Sequence, residues 1–141
     1  MAKILIIEDS LLMRETLRQM LEIDGHNVLE AEDGPTGISL ARDMEPELIV
    51  LDIMMPYMSG TQVIKYLRSD PVMRSIPIIV LSAVNQPAQV LSVLELNVRD
   101  YLLKPIDHAT LRQRVEAALN GENIQTSALK RKEDNGLWAI N

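Results

Sequence analysis

Apolar positions along this chain follow two alternating patterns. Short aliphatic runs at residues 4–7, 28–31, 48–51, 78–81 and 101–103 are separated by longer stretches in which apolar residues recur with a helical period. Three of the runs are continuously apolar, the composition of parallel strands covered on both faces. Met13, Leu17, Met20 and Leu21 recur at i, i+4, i+7 and i+8 and predict a first helix with one buried stripe. Residues 34–43 predict a second helix, stopped by Glu45-Pro46, and residues 60–68 a third, ended before Asp70-Pro71. Pro87 suits the first turn of a fourth helix running to about residue 96, with Asn97 as a left-handed cap. Asp107 predicts the cap of a fifth helix, whose Leu111, Val115, Ala118 and Leu119 share one face. Strict alternation of five strands and five helices with right-handed crossovers implies an α/β doubly wound parallel sheet, and ligands of such sheets bind beyond the carboxyl ends of the strands.

From Asn120-Gly121 onward the pattern breaks into polar and charged residues, with no apolar cluster before Leu137-Trp138-Ala139-Ile140. This divides the chain into a folded domain at 1–120 and a polar tail at 121–141, with no second domain. The tail is expected to be mobile to about Asp134, because it lacks the apolar surface that offsets ordering entropy; Trp138 is a candidate anchor.

Composition narrows the function. The 141 residues carry a formal charge of −6, which argues against a sequence-independent grip on nucleic acid phosphates, so no direct nucleic acid binding is expected. Aromatics are 3% of the chain and Phe is absent, too few for base-stacking platforms. Cysteine is absent, removing disulfides, thiolate metal sites and cysteine nucleophiles. The N-terminal apolar run is far shorter than a signal-peptide core or a membrane span, so a cytoplasmic protein without membrane contact is expected.

Chemistry concentrates after the strands. Glu8-Asp9 follow the first and Asp52 the third, which brings three carboxylates to one sheet edge; each alone is ordinarily a loop residue facing water. Oxygen ligands without His or Cys suit a hard divalent cation such as Mg²⁺, and a carboxylate beside such a cation can attack phosphorus to form an acyl phosphate. Ser82 after the fourth strand and Lys104 after the fifth add a hydroxyl and a positive charge at the same edge.

These residues resemble the receiver domain of bacterial two-component response regulators. The resemblance runs from about Lys3 to Leu119. It is carried by Glu8-Asp9, the stretch Leu51-Asp52-Ile53-Met54-Met55-Pro56-Tyr57-Met58-Ser59-Gly60, Leu81-Ser82-Ala83, and Asp100-Tyr101-Leu102-Leu103-Lys104-Pro105. It implies a flavodoxin-like (βα)5 fold with strand order 2-1-3-4-5, and a phosphoacceptor switch that is not a turnover enzyme. Asp52 would take a phosphoryl group from a phosphohistidine on a sensor histidine kinase or histidine phosphotransfer protein. Asp9, Asp52 and the backbone carbonyl of Met54 would hold Mg²⁺, with Glu8 acting through water. Lys104 would hold the phosphate and Ser82 would move to bond it while Tyr101 rotates inward. A downstream protein would read the face of helix 4, strand 5 and helix 5, including Val90, Leu94 and Tyr101, and activation could bring a homodimer. The resemblance also implies a cis Lys104-Pro105 bond.

From the residues alone, Tyr101 reads first as an aromatic covering the sheet edge, and only the resemblance raises the switch. Met54 and Val84 are apolar where the family often carries a polar residue at one or the other, which predicts a long-lived acyl phosphate because neither orients a hydrolytic water. A haloacid-dehalogenase-type phosphatase would need a second Asp where Met54 stands. A flavodoxin-type FMN carrier would need a hydroxyl- and Gly-rich loop where Glu8-Asp9-Ser10 stands. A phosphorylation-independent interaction module with the same fold is the remaining alternative, and both a stand-alone receiver and an isolated piece of a larger regulator fit the chain.

Overall fold

A computed structural model describes residues 1–122; the expectations for Trp138 and the segment around it lie outside the described residues. The elements alternate as β1 (Lys3–Ile7), α1 (Leu11–Ile23), β2 (Asn27–Ala31), α2 (Gly34–Met44), β3 (Leu48–Leu51), α3 (Gly60–Ser69), β4 (Ile78–Ser82), α4 (Pro87–Leu94), β5 (Asp100–Leu103) and α5 (His108–Leu119). All strand pairs are parallel and the sheet order is β2-β1-β3-β4-β5, the doubly wound arrangement implied by the alternation and the resemblance.

The period of two along each strand sorts the aliphatic residues onto two cores. Leu5 and Ile7 of β1 join Ile49, Leu51, Val63, Ile64 and Leu67 under α2, α3 and α4. Ile4 and Ile6 join Leu48, Val50, Leu17, Leu21, Leu111 and Val115 under α1 and α5. Central strands buried on both faces explain why β1, β3 and β4 are continuously apolar, whereas edge strand β2 carries the exposed Glu30.

Caps fix where the helices begin. Ser10, Asp33, Ser59 and Asp107 each accept a backbone N–H three residues on, and Ser59 with Gln62 forms a reciprocal capping box. Helix α4 ends at Leu94, two residues before the position read from the sequence, and a turn carries the chain to Asn97, which is left-handed at φ 62° as expected. Glu45 closes α2 in the same left-handed region at φ 48°, a role its side chain does not announce.

A polar clasp joins the ends of α1 and α5. The Asp24 carboxylate sits 3.0 Å from His108 Nε2 and accepts from Arg112 Nε at 3.0 Å. Burial works against the carboxylate, but the hydrogen bonds and charges of His108 and Arg112 outweigh it and hold the Asp24 carboxyl below its ordinary range. A lowered folded-state pKa stabilises the fold above the unfolded value of about 3.9, and that contribution is lost as pH falls through the folded value. Asp24→Asn should therefore weaken the fold at neutral pH and flatten the loss of stability below about pH 4. Urea midpoints measured across that range test this; parallel wild-type and variant curves would contradict it.

Candidate functional site

The sheet's own hydrogen bonding carries the candidate residues into place. Glu8 N–H donates to Ala31 O at 3.0 Å, Asp52 N–H to Ile7 O at 3.1 Å and Lys104 N–H to Ser82 O at 2.9 Å, so the ladder extends past the carboxyl ends of the strands. Gly60 allows the next segment to close over β3. Its N–H donates to Ile53 O at 2.8 Å, and a Cβ there would lie 2.3 Å from the Asp52 carbonyl oxygen, a contact that no side chain can make. The intervening loop passes through Tyr57 at φ 68°, with the phenol ring wholly exposed.

The sequence predicted an acidic cluster, and the structure brings Glu8, Asp9 and Asp52 together with one carboxylate oxygen of each within 4.8 Å of the others. Glu8 and Asp52 are buried and Asp9 is exposed, so the cluster has one open side. Lys104 Nζ lies 2.5 Å from Glu8 Oε1 and 3.1 Å from Asp52 Oδ2. The sequence reading assigns Lys104 to the phosphate on Asp52; the structure places it on both carboxylates, Glu8 being the nearer. The Lys104-Pro105 bond is cis, as the resemblance implied.

Burial raises the Glu8 carboxyl above its ordinary value, with Asp9 and Asp52 pushing the same way against the lowering by Lys104 and the Ser10 N–H. For Lys104 burial disfavours the ammonium, but Glu8 and Asp52 outweigh it and the pKa is raised. A single cation thus balances the buried pair. Arg14, which sequence reading passed over, donates from Nη1 to the Glu8 and Asp9 carbonyls at 2.8 and 3.2 Å, tying α1 to the loop that carries both acids. The signal was there: the helical period places Arg14 one turn inside α1, facing back over its N-terminus.

Around Asp52, Met54 N–H donates to Oδ1 at 3.2 Å, while the Met54 side chain is 65% exposed. Ser82 is fully buried and its Oγ accepts from Val84 N–H at 3.2 Å. Tyr101 is also buried, and its hydroxyl donates to the Val84 carbonyl at 2.7 Å. Burial raises the phenol's pKa, opposed by a hydrogen bond with Ser82. Met54, Val84 and Tyr101 line one cavity of about 200 Å³ with Thr61, Gln89 and Val93.

The structure corrects the composition of the predicted output face. Val90, Leu94 and Tyr101 are 0%, 4% and 2% exposed and pack in the core: the i, i+4 spacing of Val90 and Leu94 puts them on the inward stripe of α4, and Tyr101 on β5 lies beneath it. The outward positions of α4 are Ala88, Gln89, Ser92 and its capping residue Glu95. Those residues, not the three named from sequence, form the outer surface of α4.

With this geometry established, the comparisons with known proteins agree. The family model for the response regulator receiver domain matches residues 4–116. The chain is 39% identical over 121 residues to Protein PilH of Pseudomonas aeruginosa, covering 86% of this chain and 100% of PilH. It is 35% identical to the transcriptional regulatory protein YdfI of Bacillus subtilis, covering 95% of this chain but 63% of that protein. Among solved structures, the signal receiver domain of a signal transduction histidine kinase from Syntrophus aciditrophicus superposes with a TM-score of 0.79 at 31% identity, covering 86% and 92% of the two chains. The chain belongs to the response regulator receiver family, the switch modules of two-component systems. Among the described residues no helix is long and apolar enough to cross a membrane.

Removing the cation tests the electrostatic account. Lys104→Met should destabilise the metal-free protein towards the lower end of about 3–5 kcal/mol, the cost of leaving a buried carboxylate uncompensated. Adding Glu8→Gln should return part of that loss, so a double-mutant cycle from urea unfolding should show strong coupling. Additive effects would remove Lys104 as the balancing charge.

Proposed function

We propose that this receiver, residues 1–120 with the polar segment 121–141 outside it, is a phosphoacceptor switch in which Asp52 takes a phosphoryl group from a phosphohistidine. The observation that carries this reading is the Lys104 ammonium lying between the buried Glu8 and Asp52 carboxylates, with Asp9 beside them at the open side. An Asp52 carboxylate oxygen attacks phosphorus, the P–N bond to the donor imidazole breaks, and the bond pair stays with that nitrogen. Lys104, already 3.1 Å from Asp52, then pairs with the new phosphoryl oxygens.

An all-oxygen acidic set fits a hard cation, with Asp9, Asp52 and the Met54 carbonyl as direct ligands. Glu8, held by Lys104 and the Ser10 N–H, fits an outer role through water. Bound Mg²⁺ would neutralise charge on the equatorial oxygens during transfer. The donor is a sensor histidine kinase or a histidine phosphotransfer protein, and the reading is cytoplasmic. The acceptor gives up its phosphate slowly and does not turn over substrate.

The switch reading rests on Val84. Its N–H is held by Ser82 Oγ and its carbonyl by Tyr101, so a Ser82 hydroxyl that turns to a phosphoryl oxygen releases one end of the same residue. Tyr101 lies inward with its hydroxyl on the Val84 carbonyl, so the ring and the β4–α4 loop are tied through one residue. The affected surface is the outward side of α4, β5 and α5, where a downstream protein or a second copy of the chain would dock.

Incubation with a small phosphodonor should add one phosphoryl mass in Mg²⁺ and little in chelator, and Asp52→Asn should abolish it. An equal mass shift in Asp52→Asn would place the acceptor elsewhere. Phosphate should be retained long after the donor is removed, because Met54 and Val84 flank the site without a group to position water. Met54→Asn with Val84→Glu should speed its loss by about 10²-fold or more while leaving uptake intact. Equal decay in wild type and variant would sink the water-exclusion argument.

A further inference from the structure

The far end of the sheet carries the opposite charge. Beyond the amino ends of β4 and β5, the last turns of α3, the segment before β4 and the turn after α4 border an open surface cavity of about 510 Å³. Lys65, Arg68, Ser69, Arg74, Glu95 and Leu96 line it. Arg68 ties these segments together: Nε and Nη2 donate to the Asn97 carbonyl at 3.1 and 2.9 Å, and Nη1 donates to the Arg74 and Ile76 carbonyls at 2.9 Å each. Every one of those acceptors is a neutral carbonyl, and one Nη2 N–H is left over from the guanidinium's five.

The eight ion pairs among the described residues involve none of Lys65, Arg68, Arg74 or Arg99. Burial, reinforced by the like charge of Arg99, presses the Arg68 pKa downward. Loop bracing explains Arg68 alone. It does not explain why Lys65 and Arg74 converge on the same cavity, in a chain with a formal charge of −6, with Glu95 as the single acid in the lining.

We propose that this cavity is a binding site for a diphosphate group. Arg74 offers a full donor fork, Lys65 a movable point charge and Arg68 its one remaining Nη2 N–H, a set that matches a compact, multiply charged anion. With Glu95 offsetting one of the three cations, a monocarboxylate would still leave one positive charge uncompensated, whereas a diphosphate group neutralises them all. Leu96 offers an apolar wall against which a nucleoside could rest. The site is independent of Asp52: it lies at the other edge of the sheet, and the carboxylates there repel anions unless a divalent cation is bound.

The full chain should be titrated in chelator with inorganic pyrophosphate and, separately, with ADP, by calorimetry and amide chemical shifts. Saturable one-to-one binding is expected, with shifts at Ser69, Arg74 and Leu96 and an affinity that falls with salt. Lys65→Gln with Arg74→Gln should weaken binding by about tenfold or more, the loss of charge-assisted hydrogen bonds, with an unchanged thermal midpoint without ligand. Tighter binding of ADP than of pyrophosphate assigns the diphosphate to a nucleotide, and equal affinity assigns it to the inorganic anion. No saturation by about 10 mM of either probe, affinity unchanged in the double variant, or shifts confined to the residues around Asp52 would overturn the proposal.

Discussion

The architecture depends on keeping buried carboxylates together, and one ammonium makes that tolerable. Glu8 is 2% and Asp52 6% exposed, and two such charges at one sheet edge would drive each other apart or take up protons. Lys104 lies within hydrogen-bonding distance of both, and β5 delivers it there through a ladder bond from its own backbone to Ser82. The positions follow from strand pairing: when β1, β3 and β5 end at one edge of a parallel sheet, whatever follows them meets. The site is thus as rigid as the sheet, while its open side, at Asp9 and the exposed Met54, stays available to an incoming group.

Contacts leading outward from that edge are few. Val84 is gripped at its N–H by Ser82 and at its carbonyl by Tyr101, two residues on adjacent strands. Both grips on this loop thus come from the sheet, one from β4 and one from β5. Tyr101 belongs to the core beneath α4, so a change in its hydrogen bond is felt where that helix packs. On the other side of β5, Arg114 of α5 pairs with the buried Asp100 and holds α5 to the start of the strand.

Much of this was legible in the sequence for a physical reason. The strand and helix periods are local consequences of which side chains can be buried, so the order of elements, the two-sided burial of β1, β3 and β4, and the caps at Asp107 and Asn97 could all be read off. The five chemical residues Glu8, Asp9, Asp52, Ser82 and Lys104 were visible because each directly follows a run that had to be a strand, and parallel pairing then placed them at one edge. Glu45 and Tyr57 were not, since a left-handed backbone at these residues is imposed by the surrounding chain and not preferred by the side chain.

What the sequence alone determined was therefore the order of elements, the parallel α/β class and the gathering of these residues at one sheet edge: period, punctuation and residue type suffice when burial is the driving force. The tertiary structure decided the pairings. That Lys104 balances Glu8 as well as Asp52, that Arg14 braces the loop holding both acids, and that Arg68 ends on three carbonyls are choices among many charged residues with equal local claims. The same holds for Val90, Leu94 and Tyr101, which turned out to be core and not surface. Hydrophobic pattern is written along the chain; which charge meets which, and which edge of an amphipathic helix faces water, is settled only when distant segments are brought to within a few ångströms of each other.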